Sequence, residues 1–173
     1  MSLSFAARTT NFLLRWKVKP RRGEAFDVAK ARAKLEQISP RKLPLLAGIT
    51  RTAVDADPVK GLPAGEWLRP EKFERTLLYL HGGGYFSCGV ETHRPACAQC
   101  ARRLQAQVFS VEYRLAPEHP FPAGIDDAVA AYGWLLESGI QPGLLVIGGD
   151  SAGGGLALAC LLAARERGLP MPA

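Results

Sequence analysis

The residues of this chain whose types and spacing could do chemistry lie in two glycine-rich motifs, and the stronger motif surrounds Ser151. Gly149-Asp150-Ser151-Ala152-Gly153 stands between an apolar run at 144–148 and a stretch at 151–167 with the pattern of a helix. A serine hydroxyl is a weak nucleophile, so it has to be lifted out of regular structure and presented to a base. A sharp strand-to-helix turn between small residues does this, and the helix N-terminus favours developing negative charge. The spacing therefore predicts that Ser151 attacks an acyl carbonyl.

The second motif, His81-Gly82-Gly83-Gly84, directly follows the apolar run 75–80. Attack on an ester builds negative charge on the carbonyl oxygen, and fixed N–H donors aimed at that oxygen supply much of the catalytic gain. Glycines let a backbone approach the substrate, so this loop could form an oxyanion hole with the N–H of Ala152. Each motif alone has a structural alternative, a tight loop at 81–84 or a phosphate-binding turn at 149–153. The segment 149–153 lacks the GxGxxG and Walker spacings of phosphate-binding turns. Both motifs also follow predicted parallel strands, and open α/β sheets bind ligands at the carboxyl ends of such strands.

Strand and helix patterns alternate through most of the chain and predict the scaffold that positions these motifs. Periodicity predicts two helices in the first fifty residues, at 5–16 and 27–38, with an interruption at Pro20 and Gly23. Thr92 is the expected N-cap of a later helix. The fold class is therefore α/β, a three-layer α/β/α sandwich with a mostly parallel sheet. The predicted strands are 49–54, 66–68, 75–80, 107–113 and 144–148, and the later helices are 92–105, 123–137 and 151–167.

Length, charge and hydropathy narrow the classes of function. With 173 residues, 47% of them hydrophobic, the chain suits one soluble core. The net charge of +6 is concentrated in residues 1–51, which hold twelve Lys/Arg and three Asp/Glu. Because these basic residues alternate with apolar ones at helical spacing, and no nucleic-acid-binding motif is present, we expect solvated helix faces and no nucleic-acid partner. No apolar run is long enough for a membrane span or a signal peptide, so we expect a cytoplasmic protein without stable membrane insertion.

The four cysteines do not follow the spacing of a disulfide framework. Cys97 and Cys100 form a CxxC, and His93 would share their helical face, which is the pattern of a three-ligand metal site. However, a fourth protein ligand is lacking nearby, and the pair falls inside the predicted helix rather than at its N-terminus, where a thiol pKa would be lowered. We therefore predict no metal site and interpret the pair as small residues that pack on a helix.

Four segments together resemble the bacterial hormone-sensitive-lipase-like esterases of the α/β-hydrolase superfamily. They are HGGGYFS (81–87), YRLAPEHPFPA (113–123), DDAVAAYGWL (126–135) and GGDSAGGGLA (148–157), and the resemblance covers about residues 40–173. It implies an N-terminal helical cap region at 1–45 and an incomplete α/β-hydrolase core at 46–173. It also implies hydrolysis of small-molecule carboxylic esters with short to medium acyl chains, through an acyl-enzyme and without a cofactor or metal. Homo-oligomerisation of the full-length protein stays open.

The same resemblance implies roles for individual residues. Ser151 is the nucleophile. The oxyanion hole is expected from Gly83, Gly84 and the N–H of Ala152. Support of the surrounding loops is expected from His81, Gly82, Asp150 and Glu118.

A serine hydrolase of this kind also needs a base and a carboxylate, in the chain order Ser…Asp…His. After Ser151 the sequence has no histidine, and its single acidic residue, Glu166, lies about 22 Å along the predicted helix. The histidines at 81, 93 and 119 suit loop or helix positions better than the position of the base. We therefore expect C-terminal strands of the fold to be missing and the isolated chain to be inactive. Three hypotheses stay open: the N-terminal part of a longer esterase, which we favour, a non-catalytic binding module, and a split enzyme completed by another chain.

Overall fold

The computed structural model describes residues 4–17, 26–38, 46–59 and 61–173, and the chain divides into two compact units, Met1–Ala31 and Arg32–Ala173. Two helices lie in the N-terminal part, α1 at Phe5–Lys17 and α2 at Val28–Ile38. A capping side chain precedes α2, because Asp27 accepts a hydrogen bond from the Lys30 N–H at 3.0 Å. Both predicted helices are confirmed, whereas the predicted interruption at 20–23 lies outside the described residues. The domain boundary at residue 45 stays a prediction.

Five strands form one mixed sheet in the described part of the chain, in the order β1-β2-β4-β3-β5. The strands are β1 Ile49–Val54, β2 Gly65–Pro70, β3 Arg75–Leu80, β4 Ala106–Val111 and β5 Leu145–Gly149. β2 pairs antiparallel with β1 and β4, while β3 pairs parallel with β4 and β5, so four strands share one direction. All five predicted strands are confirmed, with ends that differ by at most two residues. β5 is an edge strand with one strand neighbour, β3, among the residues described, and its Leu145 carbonyl also accepts a hydrogen bond from the N–H of Ala173 at 3.0 Å.

Helices cover both faces of the sheet, which confirms the three-layer α/β/α sandwich. α3 (Val90–Leu104) packs on one face, and α4 (Ala123–Glu137) and α5 (Ala152–Glu166) pack on the other. The side chains of β3 alternate accordingly: Leu77 and Tyr79 join the cluster around α3, and Leu78 and Leu80 join the cluster around α4 and α5. No helix in the described ranges is long and apolar enough to cross a bilayer. Because β3 and β5 are parallel neighbours, the motifs at 81–84 and 149–153 begin at the same edge of the sheet.

The start of α3 corrects one prediction, because the N-cap is Gly89 and not Thr92. Thr92 is the third helical residue, and its hydroxyl oxygen accepts a hydrogen bond from the Gly89 N–H at 3.0 Å. The N–H of Val90, the first residue of the helix, has no acceptor within the helix and donates to the Glu112 carboxylate at 2.9 Å. A carboxylate from the end of the neighbouring strand thus does what a capping side chain would do. The N-cap can therefore lie three residues earlier than the local sequence indicates.

Candidate active site

Ser151 occupies a sharp turn between β5 and α5. Its backbone has φ 50° and ψ −119°, a conformation that costs a non-glycine residue on the order of 1 kcal/mol. Two flanking glycines make the turn possible, because a Cβ at either Gly149 or Gly153 would collide with the carbonyl oxygen of Leu80 on β3. The turn therefore lies directly against the end of β3, and the side chain of Ser151 stays exposed to solvent.

Three peptide N–H groups near this turn are not engaged by the described residues. They belong to Gly83, Gly84 and Ala152, and none of them donates a hydrogen bond within that part of the chain. By contrast, the neighbouring N–H groups of Gly153 and Gly82 are paired, with Asp150 O at 2.8 Å and Asp150 Oδ1 at 3.0 Å. Unpaired N–H groups at a helix N-terminus and a glycine loop are suited to receive an anionic oxygen.

Backbone carbonyls of the glycine loop after β3 accept hydrogen bonds that hold the loop in place. The hydroxyl of Tyr113 donates to His81 O at 2.6 Å. The carbonyl of Gly83 accepts from the N–H of Ser87 at 3.1 Å and from its hydroxyl at 2.8 Å. Gly83 and Gly84 have φ of 125° and 64°, values that favour glycine. The loop thus turns back on itself immediately after the strand.

Asp150 connects the serine turn to this loop. Its carboxylate accepts hydrogen bonds from the Tyr79 hydroxyl at 2.8 Å and from the Gly82 N–H, and Nε2 of His93 lies 3.3 Å away. Partial burial opposes ionisation, but the hydrogen bond from Tyr79, the charge of His93 and the Gly82 N–H together lower the pKa of Asp150 below its ordinary value. The residue before the serine therefore stays ionised and fixes the position of Gly82.

His81 is fully buried under the loop, with its ring stacked on Tyr113 at a centroid distance of 4.2 Å. Nδ1 lies 2.8 Å from the carbonyl oxygen of Gly82, so this nitrogen carries the proton. Nε2 is buried and has no hydrogen-bond partner among the described residues. Burial lowers the pKa of His81 to about 4. No described histidine is hydrogen-bonded to the Ser151 hydroxyl.

Glu118 forms a bidentate ion pair with Arg32, at 2.8 and 2.9 Å. The hydrogen bond from Arg32 lowers the pKa of Glu118 to about 2. A role of Glu118 in loop support is expected from the sequence, but its partner Arg32 is not. In the sequence, Arg32 is one of many basic residues on an amphipathic helix, and no local pattern connects it with a carboxylate 86 positions away.

The CxxC at 97–100 lies on α3 with its first thiol inside the core. Cys97 is fully buried, 3.8 Å from the Ser110 hydroxyl, and burial raises its pKa to about 12. Burial also raises the pKa of Cys100. His93 lies beside Asp150. Among the described residues, no three metal-ligating side chains form a group that could hold a metal ion.

An apolar cavity of about 400 Å³ lies between the glycine loop, the Pro-rich connector that follows β4, and α5. Tyr85 and Leu156 contribute to its walls from the two motif segments, although Ser151 does not line it. Further lining residues are Arg114, Ala116, His119, Phe121, Pro122, Gly124, Ile125 and Ala159. The volume of the cavity lies within the range of pockets that bind small molecules, and Tyr85 places it next to the loop at 81–84.

Comparison with known proteins identifies the family. The sequence matches the α/β-hydrolase fold over residues 77–173, more than half of the chain. The chain belongs to the α/β-hydrolase family. An acetyl-hydrolase of Streptomyces hygroscopicus is 50% identical over 109 residues, which are 62% of this α/β-hydrolase chain and 36% of the relative. A carboxylesterase of Mycobacterium tuberculosis is 39% identical over 153 residues, 85% of this chain and 48% of the relative.

Solved structures place this α/β-hydrolase chain near the hormone-sensitive lipases. The crystal structure of a hormone-sensitive lipase from a metagenome library matches 99% of the chain with a TM-score of 0.78 and 34% identity. The match covers 56% of that structure. The resemblance to hormone-sensitive-lipase-like carboxylesterases is therefore confirmed. The chain spans between about a third and somewhat more than half of the length of these proteins.

Proposed function

We propose that the protein to which this chain belongs hydrolyses carboxylic esters through a serine nucleophile. The observation that carries the proposal is the juxtaposition of a solvent-exposed serine at a strand-to-helix turn with three unengaged N–H groups. In the proposed reaction, Ser151 attacks the ester carbonyl, and the alcohol leaves with the proton that the serine gave up. Water then hydrolyses the acyl-enzyme. The relatives named as a carboxylesterase and an acetyl-hydrolase support esters as the substrate class.

The roles of the surrounding residues follow from their contacts. The N–H groups of Gly83, Gly84 and Ala152 would stabilise the oxyanion of the tetrahedral intermediate. Asp150 and Gly82 would keep the glycine loop beside the serine turn, because their hydrogen bond joins the two segments. His81 would support the glycine loop through its hydrogen bond to Gly82 O, and Glu118 would support the connector through its ion pair with Arg32. We further propose that the acyl chains are short to medium, in keeping with the apolar cavity of about 400 Å³.

The proposal assigns the base and its carboxylate to residues of the whole protein outside 1–173. The relatives extend well beyond the length matched by this chain. A serine hydrolase that lacks its base loses activity by about 10⁶-fold, as subtilisin shows. The isolated chain should therefore have almost no turnover of p-nitrophenyl butyrate. The lack of a hydrogen bond between Ser151 and any described histidine also supports a second candidate, an inactive binding module of the same fold.

A fusion protein tests these candidates. The chain would replace the matching half of the Mycobacterium tuberculosis carboxylesterase, whose C-terminal half would supply the remaining residues. We expect the fusion to hydrolyse p-nitrophenyl butyrate and Ser151→Ala to abolish hydrolysis. Ser138→Ala, at an exposed serine whose hydroxyl donates to Trp134 O, should leave hydrolysis unchanged. A folded fusion without hydrolysis that depends on Ser151 would refute the esterase and leave the binding module. Rapid turnover by the isolated chain would show that the base lies within it.

A further inference from the structure

One guanidinium group joins the two loops beside the proposed site. Arg32 donates from Nε to the carbonyl oxygen of Phe86 at 2.8 Å and from Nη2 to that of Ala116 at 3.1 Å. The same group forms the bidentate pair with Glu118. Arginine carries five N–H donors in a rigid planar arrangement. This single side chain therefore joins the residues that follow the glycine loop, Phe86 among them, to the connector, which contains Ala116 and Glu118.

The glycine loop needs contacts from outside to adopt one conformation. Gly83, Gly84 and Tyr85 follow one another with φ of 125°, 64° and 65°. Glycines lose more conformational entropy on ordering than other residues, and a tyrosine at positive φ adds a cost on the order of 1 kcal/mol. A segment with these properties samples several conformations unless hydrogen bonds select one of them.

Different groups hold the two ends of this segment. At its beginning, Tyr113 donates to His81 O, and the Gly82 N–H donates to Asp150. At its far end, the Ala116 N–H donates to Tyr85 O at 2.8 Å, and the carbonyl of Phe86 accepts from Arg32. The two N–H groups proposed to bind the oxyanion lie between these anchors. Loss of the guanidinium would weaken the far anchor and leave the near one intact.

We propose that Arg32 is a positioning residue that sets the geometry of the oxyanion hole through the far end of the glycine loop. The proposal rests on the proposed function, in which the loop amides bind the oxyanion. Arg32 acts through the Phe86 and Ala116 carbonyls and touches no reacting atom. Its partner carboxylate is ionised throughout the neutral range, since the pKa of Glu118 is about 2, so the anchor persists at physiological pH.

Hydrogen–deuterium exchange on the chain itself tests the anchor without any need for hydrolysis. We expect Arg32→Gln to accelerate exchange in peptides covering 82–89 by about tenfold, while peptides of β3 exchange as in the wild type. Arg167→Gln is the matched control, because Arg167 forms an exposed ion pair with Asp126 at 2.7 Å, away from the loop. Unchanged exchange at 82–89 would overturn the proposal. Equal acceleration at 82–89 and in β3 would also overturn it, since the role would then be general stability.

Kinetics of the esterase fusion test the consequence for catalysis. A misplacement of catalytic groups by about 1 Å costs up to about 100-fold in rate. We therefore expect Arg32→Gln to lower kcat by about 10- to 100-fold with little change in KM, because the loop amides act on the transition state. Arg32→Lys, which keeps the charge but not the planar set of donors, should recover only part of kcat. Full recovery by lysine, or a change confined to KM, would refute positioning. A fusion inactive even with Arg32 would count against the proposed function, while the exchange result still decides on the anchor.

Discussion

Protonation of the buried His81 should make the stability of the fold depend on pH. In the folded chain the Nδ1 proton is directed at Gly82 O, and Nε2 has no partner among the described residues, so a second proton would be buried without an acceptor. This is the physical reason for a pKa near 4 in place of the ordinary value of 6.5. Because the pKa is lower in the folded state, stability is complete above pH 6.5 and falls as the pH drops towards 4.

The size of the effect follows from the two pKa values. A difference of 2.5 units corresponds to a maximal loss of about 3 kcal/mol in the free energy of unfolding. Between pH 7.5 and 5.0, the unfolded state takes up a proton that the folded state does not bind, and the loss is about 2 kcal/mol. His81 is fully buried, so solvent screening should not reduce this value substantially.

Urea unfolding at pH 7.5 and 5.0 measures the effect, at a concentration at which sedimentation shows a monomer. The comparison is between the wild type and His81→Phe, since any constant cost of the substitution cancels between the two pH values. The wild type should lose about 2 kcal/mol more than the variant. Tyr113→Phe, which removes the hydroxyl that donates to His81 O but keeps the imidazole of His81, should retain the pH dependence of the wild type. Equal losses in the wild type and in His81→Phe would refute the assignment of a buried, neutral imidazole.

Three further predictions concern packing and pairing, and urea unfolding or sedimentation tests each of them. Gly153→Ala should destabilise the fold by about 3 kcal/mol because its Cβ meets two backbone carbonyls, whereas Gly133→Ala, in open space on α4, should stabilise it by about 0.5–1 kcal/mol; equal effects would contradict the close approach. Asp127→Ala should cost about 2 kcal/mol because it leaves the part-buried N–H and the half-exposed guanidinium of Arg114 without their acceptor, and the exposed Asp126→Ala should cost below about 1 kcal/mol. The position of β5 at the edge of the sheet should promote association of the chain at rising concentration, and Val146→Lys should reduce this association. Sedimentation of the wild type that does not depend on concentration would contradict this prediction.

The layers of the fold were predictable because each depends on a local pattern. The run at 75–80 is apolar on both faces of its strand, which is typical of a central parallel strand, and the structure places it in the interior of the sheet. The turn around Ser151 was predictable for a similar reason, because only small residues fit there. The glycine pattern at 149–153 therefore carries geometric information in the sequence itself.

Contacts between distant segments could not be predicted in the same way. The ion pair of Arg32 with Glu118 and the hydrogen bond from Tyr113 to His81 O join residues 86 and 32 positions apart. The charge of Arg32 alone suits any solvated helix face, so no periodicity distinguishes it. The start of α3 was missed for the same reason, because the carboxylate that accepts from its first N–H comes from Glu112, at the end of β4.

The close approach of Gly153 to the carbonyl oxygens of Leu80 and His81 has a consequence for thermal motion. With no side chain between them, the serine turn and the start of the glycine loop touch backbone to backbone, and the Asp150–Gly82 hydrogen bond adds a second connection. Fluctuations of the two segments should therefore be correlated, so that each moves with the other. The distance between the serine hydroxyl and the loop amides can then stay nearly constant with temperature, even when the surrounding loops become more mobile.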